Sequence, residues 1–130
     1  MAVIAYTATQ SVGNPIAGST TNENGWIVSW GPMANGDTGA PITLAGYADK
    51  SIQVEGTFGT GGSATAQGSN NGTNYRALND PTGTTIAITA AGIKAITEAV
   101  VYVQPAVTAG DVSTALTVTM FFRKTAGTTP

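Results

Sequence analysis

The chain has 130 residues, of which 42% are hydrophobic and only 9% charged, with a net charge of −2 and neither histidine nor cysteine. That length holds one domain with a real core, not two. The five basic residues, Lys50, Arg76, Lys94, Arg123 and Lys124, are scattered apart from the last pair, which argues against a nucleic-acid surface, where clustered Lys and Arg must neutralise phosphates. Without cysteine there are no disulfides and no thiolate metal sites. An ordinary domain is about one quarter charged, so here Thr, Ser, Asn and Gly take over the surface, as suits a protein that hides much of it in an assembly.

The N-terminus, Met1 to Gln10, lacks the basic start and apolar run of a signal peptide. No window approaches the roughly 18 apolar residues of a membrane span. The expectation is synthesis in a cytoplasm and solubility until a partner is met.

Ala2 to Thr9 reads as one strand. Ser11 to Gly25 is rich in Gly, Ser, Thr and Asn and reads as a loop or extended arm, so residues 1–25 form an N-terminal strand and arm. Trp26, Val28 and Trp30 share one face of a strand, with Ile27 and Ser29 opposite. Gly31 to Pro41 is a loop and Ile42 to Leu44 a short strand. Ser51 to Phe58 sets Ile52, Val54 and Phe58 against Gln53 and Glu55. Gly59-Thr-Gly-Gly62 is a hairpin-type turn, since glycine accepts positive φ without steric cost. Ser63 to Gly68 returns with Ala64 and Ala66 alternating against Thr65 and Gln67, small residues that leave room for something larger packed across.

Asn70 to Asn74 is a turn, Tyr75 to Leu78 a short strand, and Asn79 to Gly83 a further turn. Ile86 and Ile88 fall on one face of Thr84 to Thr89. Ala90 to Ala99 is the only helix-like piece, with at most one short helix near 91–98. Val100 to Val107 is a strand. Thr114 to Lys124 is the longest, with Leu116, Val118, Met120 and Phe122 inward. Residues 125–130 form a frayed tail. Short strands separated by turn signals, with no βαβ rhythm, predict an all-β antiparallel sandwich, jelly-roll-like, over residues 26–124.

Candidate chemistry is sparse. Trp26, Trp30, Tyr47 and Tyr75 could stack on sugar rings, or the Trp pair could simply be core or subunit interface. Asp37, Asp49, Asp80 and Asp111 all sit in turns, where Asp bonds its own backbone, and they lack the spacing of a calcium loop. Glu23, Glu55 and Glu98 form no recognisable glycosidase pair with them. The usual His or Cys acid–base and nucleophile pairings are unavailable, and Gly59 to Gly62 lacks the Gly-Lys-Ser/Thr of a phosphate loop. No catalytic, cofactor-binding or metal residue is assigned.

The segments Pro32 to Ile42, Gly46-Tyr-Ala-Asp49, Ser51 to Gly59, Gln67 to Tyr75 and Ala77 to Gly83, closing with Tyr102 to Val107 and Leu116 to Met120, resemble the capsid decoration, or cement, proteins of tailed bacteriophages. The likeness covers about residues 26–124. Tyr75 stands where the pattern leads one to expect Trp, and the Gly68-Ser-Asn-Asn-Gly-Thr-Asn74 turn also occurs in carbohydrate-binding sandwiches. The resemblance implies a non-enzymatic virion protein on the capsid exterior, with the major capsid protein and its own copies as partners. A trimer is the oligomer that local three-fold axes of a capsid suggest. A carbohydrate-binding or tail-fibre module, or a tail or head–tail joining protein, is the alternative.

Overall fold

The computed structural model describes residues 2–11, 25–44 and 46–124, with the side chains of Gln10 and Ser11 left aside. Among the described residues eleven strands run in chain order: β1 (Val3–Ile4), β2 (Tyr6–Ser11), β3 (Gly25–Met33), β4 (Thr38–Gly39), β5 (Ile42–Thr43), β6 (Asp49–Thr57), β7 (Ser63–Ser69), β8 (Arg76–Ala77), β9 (Gly92–Ile96), β10 (Tyr102–Ala109) and β11 (Ala115–Arg123). Two sheets pack against each other as a β-sandwich. One has the order β2-β3-β11-β6-β9; the other runs β1-β4-β10-β7-β8, with β5 also on β10. Every pairing is antiparallel except β1 with β4.

The core follows the period-2 alternation of the sequence. On β11, Leu116, Val118, Met120 and Phe122 are all buried, and they meet Ile52 and Val54 of β6 and Val28 and Trp30 of β3. From the facing sheet come Ala64, Ala66, Val103 and Val107, with Ile86 and Ile88 from the connecting segment. Ala64 and Ala66 have no accessible surface, as the space-making role of small residues in Ser63 to Gly68 requires. Trp30 is the largest fully buried side chain. Its indole N–H donates to Ala40 O at 2.9 Å, so the ring is buried without orphaning its polar atom.

The structure corrects two expectations. Ala2 to Thr9 is not one strand: the chain breaks at Ala5, leaving β1 in one sheet and β2 in the other. The helical piece near 91–98 does not form; Gly92–Ile96 is strand β9, paired with Lys50 to Val54 of β6. The helix propensity of Ala and Lys is a weak prior against tertiary context, and backbone bonds to the neighbouring strand override it. Of the N-terminal arm, residues 12–24 lie outside the described residues, as do the tail residues 125–130 and Glu23.

Candidate interaction surface

The sequence-derived candidates are dispersed, and each has a local structural task. Asp37 is buried and accepts from Ala2 N (2.9 Å) and Ala34 N (2.8 Å), fastening the start of the chain to the β3–β4 turn. Asp80 accepts from Thr82 N and Oγ1 and from Thr84 N, and lies 3.9 Å from Lys94 Nζ. The Thr82 hydroxyl leads the bonds that lower its pKa. Asp111 accepts from Ser113 Oγ (2.7 Å), Thr60 N (2.8 Å) and Ser113 N (2.9 Å), so it ties the β10–β11 turn to the β6–β7 turn. Those bonds, the Ser113 hydroxyl foremost, hold its carboxyl well below the usual carboxylate range. Asp49 pairs with Arg123 at 3.1 Å across β6 and β11. Among the described residues no group of three or more His, Cys, Asp or Glu side chains could hold a metal ion.

Glu98 accepts from Asn79 N (2.8 Å) and Asn79 Nδ2 (2.7 Å), bonds that lower its pKa. Glu55 is exposed on β6 and accepts from Gln53 Nε2 at 3.1 Å. One residue that sequence reasoning missed is Lys50. Its side chain is buried on β6 and donates to Ala48 O (3.0 Å) and to Glu98 O. Burial lowers its pKa, against the opposing pull of Glu98 and Asp49. Its place at an inward position of the Ile52–Val54 alternation was the signal available, since an inward lysine needs carbonyl or carboxylate partners.

Of the four aromatic candidates, Trp30 is not available to a sugar ring. Trp30 has no exposed surface, and Tyr6 meets it edge-on at 6.0 Å between ring centroids. Trp26 and Tyr47 are partly buried against the core. Lys124 Nζ lies 5.6 Å from the Tyr47 ring centroid. Tyr75 is half-buried in the segment before β8.

What the fold does present is the outer face of the five-stranded sheet. Strand register aligns two rows across it: Thr7, Ser29, Thr119, Gln53 and Ile93, and next to it Thr9, Ile27, Phe121, Ser51 and Ala95. None of these ten side chains is charged. Ile27 (40%), Phe121 (37%) and Ile93 (64%) are exposed large hydrophobics, interleaved with hydroxyl and amide groups. Ser29 and Thr119 hydroxyls bond each other at 3.1 Å, which leaves them little need of water. Charge is confined to the margins, with Glu55 toward one end and the Arg123–Asp49 pair at the other. No protein-family model, curated protein or solved structure matches the chain. A broad, neutral sheet face with aliphatic and aromatic side chains set among hydroxyls shares with an interface core its depletion of charge.

Proposed function

We propose that the protein is a non-enzymatic structural protein of a phage virion, a decoration or cement protein that binds the outer surface of the head. The observation that carries this reading is the ten-residue uncharged face of the β2-β3-β11-β6-β9 sheet. Such a face can lie flat on a large, neutral partner surface without stripping water from charges, which is the costly part of docking. The partners are the major capsid protein and further copies of the chain. Stabilisation follows by linkage: a protein that binds only the assembled shell favours that state, and many copies add their effects. A surface poor in Lys and Arg supports docking to protein rather than to the packaged nucleic acid.

Co-sedimentation of the purified protein with expanded shells that lack it tests the reading. Saturable binding in a fixed ratio to the major capsid protein, with a raised shell melting temperature, is the expected result. Absence from the shell, with the protein recovered in tail fractions or on glycan, overturns it.

A further inference from the structure

Among the described residues the two sheets have five edge strands, β1, β5 and β8 in one and β2 and β9 in the other. An exposed edge carries unpaired N–H and C=O groups and invites another strand, so folds blunt their edges with short strands, proline or inward-pointing charge. Four of the five are blunted. β1, β5 and β8 have two residues each. On β9, Lys94 is paired in register with the inward-facing Ile52 and reaches Asp80. β2 carries none of these devices. It is six residues long, Tyr-Thr-Ala-Thr-Gln-Ser, with neither charge nor proline.

Among the described residues the sandwich is open beside β2. A groove of about 380 Å³ runs between Tyr6, Ala8 and Trp26 on one side and the Pro41 to Leu44 segment on the other. A strand added to β2 would therefore meet hydrogen-bonding groups along its length and an apolar slot on the inward side. Its own sequence must alternate apolar with neutral polar residues to fit both.

We propose that the occupant is β2 of a second copy, paired antiparallel about a two-fold axis into a continuous ten-stranded sheet. The strand has the alternation that the site asks for: Tyr6 and Ala8 share the inward side with Trp30 and Val28, while Thr7 and Thr9 lie outward beside Ser29 and Ile27. Tyr6, 41% exposed in the single chain, would bring an apolar ring to the neighbour's groove. A two-fold contact sets residue i of one copy against residue j of the other and j against i, so an edge carrying one sign of charge would meet that sign again, which this uncharged edge avoids. The pairing also joins the two neutral outer faces into one surface twice as wide. It rests on the self-association in the reading above, makes that unit a two-fold dimer rather than a trimer, and does not involve the shell.

Sedimentation equilibrium of the free full-length protein tests it, with the paired variants Thr7→Lys/Thr9→Lys and Thr7→Glu/Thr9→Glu. Both positions are exposed and point away from the core, and far-UV circular dichroism checks that each variant keeps the native strand signal. The native chain is expected to dimerise. Each variant alone should dissociate at least about tenfold more readily, since like charges face each other across the new pair. An equimolar mixture of the two should recover the dimer. A monomeric or trimeric native chain, or a dimer unmoved by either variant, overturns the proposal. If one variant fails to fold, the other decides. Shell binding is read separately, so a chain that dimerises but ignores shells sinks the cement reading alone, and a chain that binds shells as a monomer sinks this one alone.

Discussion

Thr114 joins two turns at one end of the sandwich, and replacing it with valine isolates that role. The side chain is buried, at 3% exposure. Its hydroxyl donates to Phe58 O at 2.8 Å and accepts from Asp111 N at 2.8 Å. Valine keeps the shape and removes both bonds, leaving one carbonyl and one amide without partners. A buried polar group left unsatisfied costs about 1–3 kcal/mol. Both contacts are only partly shielded from solvent, so the lower end applies, about 1 kcal/mol each and about 2 kcal/mol together. With a urea slope of about 1.5 kcal/mol/M, the unfolding midpoint should fall by roughly 1.3 M with no change in slope. The fluorescence of the buried Trp30 reports the transition. Thr117→Val is the control: the same chemical change on β11, at an exposed position whose side chain makes no hydrogen bond among the described residues, should stay within about 0.5 kcal/mol. Equal midpoints for the two variants, or a shift below about 0.3 M for Thr114→Val, would refute the argument that this hydroxyl holds the turns together.

Three further outcomes follow from the same structure. Gly39→Ala should destabilise by about 1–3 kcal/mol in thermal or urea unfolding, because a Cβ there would stand 2.5 Å from Trp30 Cδ1 and 2.6 Å from Pro105 Cδ; a native-like midpoint would show that the Trp30 ring moves freely. Asp111 has a folded pKa depressed from 3.8, so its stabilising contribution is complete above that value and is lost as pH falls toward the folded one. Acid unfolding of Asp111→Asn should therefore be flatter than native below about pH 4, and an unchanged acid limb would contradict it. Ile93→Lys changes an exposed side chain of the outer face, so urea unfolding should move by less than about 0.5 kcal/mol while shell binding weakens; undiminished binding would remove this face from the contact.

Much of the fold was legible because burial alternates along the strands. The Leu116–Phe122 alternation, Val28 with Trp30, and Ile52 with Val54 all lie where period-2 reading placed them, and each is fully buried or nearly so. The misread β9 has a physical cause: Gly92, Lys94 and Ala95 dilute the strand signal of Ile93 and Ile96, and what decides Gly92–Ile96 is the β6 edge, a partner some 40 residues earlier in the chain. The break at Ala5 was hidden for a similar reason, since each half is decided by a distant partner, β4 for β1 and β3 for β2. Lys50 shows the limit at the level of side chains. Nothing local announces that its ammonium is satisfied by Ala48 and Glu98 carbonyls, because the second lies 48 positions away. The outer face was hidden differently. Ile27, Phe121 and Ile93 are ordinary hydrophobic residues in one dimension and become a surface only when the register sets their strands side by side.

Cryo-electron microscopy of shells reconstituted with the purified protein bears most directly on the central claim. The account predicts β-sandwich density at regular positions on the head exterior, with the Ile27, Phe121 and Ile93 face against the major capsid protein. Bare heads at saturating protein, or density confined to the tail, would contradict it.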